Sequence, residues 1–224
     1  MNIKNIIISI IIIIISYFIY LDRNTNTIRY KIDGDEIYQM DSINRMEYSR
    51  FNIKTRECVR WYAKEICKEV LKIKMNSKIL VLGVGLGCII IELSNKRPDL
   101  TIIGIDISDI NYDIVEKYKG SNQVTLIKED ANQYIKDSKI TFDVVICDLY
   151  IDGKVPIFVF SDEYLDNIFN ILNPLGKYII NIPEKLDNIL LSKLSENHSN
   201  LNYDIIKEYN NFSYYQNEIV IVSK

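Results

Sequence analysis

Basic residues do not outnumber acidic ones in this chain: 27 Lys and Arg stand against 30 Asp and Glu, a net charge of −3. A general nucleic-acid binder normally carries a basic patch, so nucleic acid is not an expected partner. Histidine occurs once, as His198 in a Ser- and Asn-rich stretch where a solvated ring is expected, and no metal site is visible. The four cysteines, Cys58, Cys67, Cys88 and Cys147, form no Cys-x-x-Cys pair. They fall in predicted helices, beside a glycine loop and at a strand end, and read as reduced core thiols. Internal repeats are missing, as is any low-complexity linker other than one isoleucine-rich run. The 224 residues suit one substantial domain with an appendage.

That run, Ile6 to Leu21, is almost uninterrupted isoleucine, with Tyr17, Phe18 and Tyr20 at its far end. At about 1.5 Å per residue it reaches roughly 24 Å, spannable with thinning of a ~30 Å hydrocarbon core. A cleaved signal peptide competes with this reading, but Leu21-Asp22-Arg23-Asn24 offers no small-residue cleavage site. The expectation is an uncleaved transmembrane anchor, making the membrane a partner. Arg23, Arg29 and Lys31 outnumber Lys4, which places the following domain in the cytosol.

Lys78 to Gly87 holds the most informative pattern: an aliphatic run, Ile79-Leu80-Val81-Leu82, that ends in glycines at Gly83, Gly85 and Gly87. It reads as a buried strand turning through a nucleotide loop into a helix that begins near Cys88. A second strand, Thr101 to Asp106, ends in a carboxylate about 20 residues on, where doubly wound folds place an acid for a ribose diol. A helix from Ile110 to about Tyr118 follows. A third strand, Val124 to Lys128, runs into Glu129-Asp130-Ala131, and a fourth, Phe142 to Asp148, again ends in an acid. Three parallel strands would thus each deliver a carboxylate to one edge, the edge where open α/β sheets bind ligands.

Upstream, alternating apolar residues from Thr27 to Met40 suggest a hairpin turning at Asp33-Gly34, serving as a lid or edge. Thr55 to Lys72 has helical periodicity, and its Trp61 reads as packing or interface. Downstream, Ser161-Asp162-Glu163 caps a helix that Asn173-Pro174-Leu175-Gly176 stops. Lys177 to Ile182 is a fifth strand, a helix spans about Glu184 to Ser195, and strands near Tyr203 to Tyr209 and Glu218 to Val222 add a terminal antiparallel pair. The fold class is α/β, a doubly wound, mostly parallel seven-stranded sheet with a short N-terminal β-hairpin and a transmembrane segment. Residues 1–26 are assigned to the anchor, 27–54 to a short β module and 55–224 to the main domain.

From about Thr27 to Ile182 the chain resembles the class I S-adenosylmethionine-dependent methyltransferases, and within them the spermidine synthase family. The resemblance implies that Gly83, Gly85, Leu86 and Gly87 lie along the donor, that Asp106 holds the ribose hydroxyls and that Asp130-Ala131 contacts the adenine. Phe142 to Asp148 resembles the family's strand-four phrase, whose last Asp is the proposed base. Val155-Pro156, Phe160-Ser161, Glu163-Tyr164-Leu165 and Leu172 to Gly176 resemble its downstream motifs, and Asp33-Gly34 and the Tyr48-to-Arg50 region resemble a shortened N-terminal β module.

Two departures bear on the chemistry. Spermidine synthases carry an acid inside the glycine loop where this chain has Leu86. An acid there would repel the carboxylate of intact S-adenosylmethionine by several kcal/mol at intermediate dielectric. After Asp148, the family's Asp-Ser-Ser-Asp-Pro becomes Asp148-Leu149-Tyr150-Ile151-Asp152-Gly153, which displaces its second acid by one position. The resemblance with these departures implies a membrane-tethered methyltransferase, with Asp148 orienting or deprotonating an amine and Tyr150 and Asp152 lining the acceptor side. The donor would be S-adenosylmethionine, or its decarboxylated form in the alternative of a polyamine-making aminopropyltransferase. A non-catalytic adenosyl-nucleotide-binding module is a third reading. An NAD-binding domain fits less well, because Cys88 stands where its fingerprint needs glycine. The acceptor would be a small-molecule or protein amine, and a homodimer is left open.

Overall fold

The computed structural model describes residues 29–40, 47–108, 111–151, 153–183, 186–198, 200–207 and 217–224. The main sheet has seven strands, here given with the helices between them. β4 (Lys78–Leu82) leads to α2 (Cys88–Lys96), β5 (Thr101–Asp106), α3 (Tyr112–Tyr118), β6 (Val124–Lys128), α4 (Ala131–Asp137) and β7 (Phe142–Cys147). Then follow α5 (Asp162–Ile171), β8 (Leu172–Pro183), α6 (Asp187–Asn197), β9 (Asn202–Lys207) and β10 (Asn217–Ser223). Ahead of them stand β1 (Arg29–Asp33), β2 (Glu36–Met40), β3 (Glu47–Asn52) and α1 (Trp61–Val70). The strand order is β6-β5-β4-β7-β8-β10-β9, with β10 antiparallel to both of its neighbours and the rest parallel.

Strand periodicity explains the two cores. On β4, Ile79 and Val81 face one way, into a cluster with α1, α2 and α3, while Leu80 and Leu82 face the other, into a cluster with α4, α5 and α6. Val144 and Ile146 on β7 repeat the first direction, Val145 and Cys147 the second. A strand buried on both faces needs an unbroken apolar run, and that is what β4 and β7 supply. Each fully buried aliphatic side chain contributes about 1.5–3 kcal/mol, so the central strands are strongly fixed in register.

Register then sets the site. Leu82 pairs with both Ile105 and Cys147, and Asp106 with Lys128. The ladder continues one residue past the strands, through Gly83 N–H to the Ile105 carbonyl (2.9 Å) and Asp148 N–H to the Leu82 carbonyl (2.8 Å). The chain leaves β4 towards β5 on one side and β7 lies on the other, which opens a crevice at that edge.

Several expectations need correction. Among the described residues no helix is long and apolar enough to cross a membrane. The longest described helix, α6, has 11 residues, about 16 Å at 1.5 Å each, half of a ~30 Å hydrocarbon core. The stretch Ile6 to Leu21, on which the anchor was read, lies outside the described residues. The transmembrane segment is therefore withdrawn from the fold class, and the single-pass placement with a cytosolic domain goes with it.

The N-terminal hairpin does turn at Gly34 (φ +57°), but β3 extends it to a three-stranded antiparallel sheet, β1-β2-β3. Ile37 and Phe51 plug this module into the α1–α3 core, Phe51 meeting the Tyr118 ring edge-on at 5.4 Å. Helix α1 begins at Trp61 rather than Thr55, because local hydrogen bonds outcompete helical periodicity. The Asn52 side-chain oxygen accepts from Lys54 N–H and Thr55 N–H, Arg56 takes φ +58°, and Cys58 bridges back to Phe51. His198 is half-buried rather than solvated: its ring packs on Phe169 at 4.7 Å, and Nε2 stands 3.4 Å from Asp166. The Ile110 start of α3 and the sequence-predicted site residue Asp152 lie outside the described residues.

Candidate functional site

The glycines of the loop after β4 serve different ends. A Cβ on Gly83 (φ +85°) would sit 2.3 Å from the Asp148 carbonyl oxygen, so only glycine lets the ends of β4 and β7 lie together. Gly87 is equally constrained, by Val115 Cγ2 at 2.2 Å. Gly85 (φ +52°) is exposed, and among the described residues a Cβ there would meet only the Gln39 side-chain oxygen, at 3.5 Å, which leaves its backbone accessible to a ligand from that side. Behind the loop, α2 starts with no side-chain cap and no acid in its first turn, leaving its N-terminal partial positive charge directed at the crevice.

Asp106 holds the loop. Its Oδ2 accepts from Val84 N–H (2.9 Å) and Gly85 N–H (3.0 Å), and its Oδ1 accepts from Ser108 N–H and Oγ, both at 2.9 Å. Asn111, 4% exposed, donates Nδ2 to the Gly85 carbonyl at 2.9 Å. Its Oδ1 is buried without a partner among the described residues. Asp130 is exposed and caps α4 by accepting from Gln133 N–H (3.0 Å), while Ala131 opens that helix from within the second core.

Asp148 is the most perturbed acid at this edge. Burial pushes its carboxyl up to about 6, the neighbouring Asp106 charge adds to the rise, and Asn181 and Tyr62 offset part of it. Asn181, 2% exposed on β8, donates Nδ2 to Asp148 Oδ1 at 2.8 Å, and its Oδ1 has no partner among the described residues. The Tyr62 hydroxyl donates to the Tyr48 carbonyl at 3.0 Å. Tyr150 reaches the Asn181 carbonyl at 3.4 Å, and burial raises its phenol above the usual range, so it stays a neutral donor. Beside this wall runs a groove of about 350 Å³, lined by Glu47, Arg50, Arg60, Trp61, Tyr62 and Asn217 among others. Tyr62 joins the groove to the Asp148 neighbourhood, and Trp61, partly buried against the α1–α3 core, also lines it.

The structure thus brings together Gly83, Gly85, Asp106 and Asp148, with Asp130 capping the helix beyond the next strand. It turns Leu86 inward: its side chain is 0% exposed and belongs to the α1–α3 core. Gln39, Asn111, Asn181 and Tyr62 were not singled out from the sequence. No motif flags them, because each reaches the edge through long-range packing.

A family profile described as "Methyltransferase domain" matches residues 73–219. The release factor glutamine methyltransferase of Flavobacterium psychrophilum is 36% identical over 97 residues, covering 42% of this chain and 32% of that protein. A probable polyamine aminopropyl transferase of Bifidobacterium longum is 26% identical over 104 residues, covering 46% of this chain and 23% of its own. The chain thus spans a third or less of these curated relatives. A probable spermidine synthase from Corynebacterium glutamicum superposes with a TM-score of 0.71 at 15% identity, over 87% of this chain and 76% of the other. A putative methyltransferase from Streptococcus mutans, solved in complex with SAH, superposes at 0.58 and 14% identity over 74% and 99%. The resemblance read from the glycine loop and its three acids, and the S-adenosyl donor it implies, agree with these matches. With the profile covering most of its length, the chain belongs to the methyltransferase domain family.

Proposed function

We propose that the protein transfers a methyl group from S-adenosylmethionine to an amine, using a spermidine-synthase-like site with Asp148 as the base. The observation that carries this reading is the Asp148 carboxyl, lifted to about 6 by burial and held by Asn181 one residue beyond the strand that touches the glycine loop. A base with that pKa is largely ionised at neutral pH yet strong enough to take a proton from an ammonium in a partly dry site. S-adenosylmethionine supplies an electrophilic methyl on a sulfonium, displaced in line.

The chain's own groups do the rest. Asp148 accepts one proton from the acceptor ammonium, which frees the nitrogen lone pair to form the new N–C bond as the C–S bond breaks and its electron pair returns to sulfur. Tyr150 and Asn181 fix the carboxylate and wall off water, so that positioning supplies most of the rate. On the donor side, Gly85 offers open backbone, and a ribose diol would take over the Asp106 Oδ1 contacts now held by Ser108. Asp130 and Ala131 are assigned to the adenine end, and Asp152 with Tyr150 to the acceptor. The Trp61–Tyr62 groove is the acceptor's route.

Aminopropyl transfer is the second reading, favoured by the fold similarity to a spermidine synthase. Against it, Gly83 to Gly87 contains no acid to repel the donor's carboxylate. The preference rests on that missing charge, not on a contact made by Leu86. Incubation with S-adenosylmethionine or its decarboxylated form, each with putrescine and a panel of amines, separates the two. Amine-dependent demethylated donor supports methyl transfer, and methylthioadenosine from the decarboxylated donor overturns it. If neither donor binds, by calorimetry at millimolar concentration, both readings are overturned.

A further inference from the structure

All four cysteines are free, and three of them converge where α1, α2 and the β3–α1 connection meet. Cys58 Sγ and Cys67 Sγ lie 3.9 Å apart, and together with a Glu92 carboxylate oxygen they form a set of ligand atoms all within 4.8 Å of one another. Cys88 interacts with Cys58 on one side and meets Ser49 Oγ at 3.2 Å on the other. Cys58, Cys67, Cys88 and Glu92 are each no more than 5% exposed.

We propose that Cys58, Cys67 and Glu92 form a binding site for a soft divalent cation of the zinc type. Two thiolates each ~2.3 Å from a tetrahedral ion stand about 3.8 Å apart, the spacing Cys58 and Cys67 already have. Lys96 Nζ stands 2.9 Å from Glu92 Oε1 and 2.8 Å from Glu57 Oε1, so a cation of the chain flanks the carboxylate end of the set. Thiolate and carboxylate donors together select zinc over magnesium or calcium.

The loading step balances: as the two S–metal bonds form, the dication displaces one proton from Cys58 and one from Cys67 to solvent. The Glu92 Oε2 that accepts from Cys58 N–H at 2.6 Å already holds the Cys58 backbone against α2. Because Cys58 bridges to Phe51 of β3, Cys67 lies on α1 and Glu92 on α2, an ion here would tie the helix behind the glycine loop to the N-terminal module. The inference is independent of which group the transferase moves.

The test uses the full chain, reduced and chelator-treated under anaerobic conditions, titrated with Co²⁺ alone and then with Zn²⁺. The expected result is a thiolate-to-cobalt charge-transfer band saturating at one equivalent, abolished by Zn²⁺, with Zn²⁺ raising the melting temperature. Cys67→Ala and Glu92→Gln should each weaken Co²⁺ binding at least tenfold, and Cys147→Ala, in the opposite core, should leave it unchanged. Absence of the band in the wild-type chain would overturn the proposal whatever the variants' folding. So would a band that survives undiminished in a folded Cys58→Ala/Cys67→Ala chain.

Discussion

Replacing Asp148 with Asn should make the protein more stable and inactive, and the stability gain should depend on pH in a defined direction. In the folded chain burial holds this carboxyl at about 6, against an ordinary value of 3.8. The native state therefore binds more protons than the unfolded one between those values, and stability falls as pH rises through the window. At 1.36 kcal/mol per pKa unit, the charged form costs about 3 kcal/mol once both states are ionised, an upper figure because the group is only half-buried. An Asn keeps the oxygen that accepts from Asn181 and removes the charge. Urea unfolding of wild type and variant should give nearly equal stabilities at pH 4 and a variant more stable by about 1–3 kcal/mol at pH 7.5. Transfer by the wild type should rise with pH through about 6, as the base loses its proton, while the variant stays at background. A stability gap of the same size at both pH values, or a less stable variant at pH 7.5, would refute the claim that burial holds the carboxyl up.

The glycine loop gives a contrast within five residues. Gly83→Ala must force the Asp148 carbonyl aside and strain a positive φ, so it should cost at least 1–3 kcal/mol in urea unfolding and abolish donor binding. Gly85→Ala meets only the Gln39 side-chain oxygen at 3.5 Å, so it should bear the smaller backbone term of about 1 kcal/mol while weakening donor affinity in calorimetry. Leu86→Asp places a carboxylate in the α1–α3 core, so its main effect should be a large loss of stability rather than a change in donor choice. Leu86→Ala should already cost 2–5 kcal/mol, as truncations of buried leucines do, roughly. A well-folded Leu86→Asp chain with altered donor preference would show that the side chain faces the ligand.

The contrast between Asp148 and Leu86 shows what a sequence of this kind can and cannot convey. The acids at Asp106, Asp130 and Asp148 were legible because strand period and parallel register are local rules: once Ile79 to Leu82 is a doubly buried strand, its neighbours' ends must fall on one edge. Leu86 lies four residues past the end of that strand, in a loop whose three glycines take positive φ, and no period tells which way its side chain points. Its inward turn comes from the apolar core that α1, α2 and α3 offer beneath the loop. The same reasoning separates the rest. Asn181, which holds Asp148, is an interior strand residue flanked by Ile180 and Ile182, and its partner lies 33 positions away. Cys58, Cys67 and Glu92 lie within 35 residues with no metal-ligand spacing, and they meet because α1 packs on α2. Residues that an element's own geometry carries to the edge were readable. Those placed by the packing of two elements were not, and two of them, Asn181 and Tyr62, offset part of the rise that burial gives the Asp148 carboxyl on which the proposed chemistry depends.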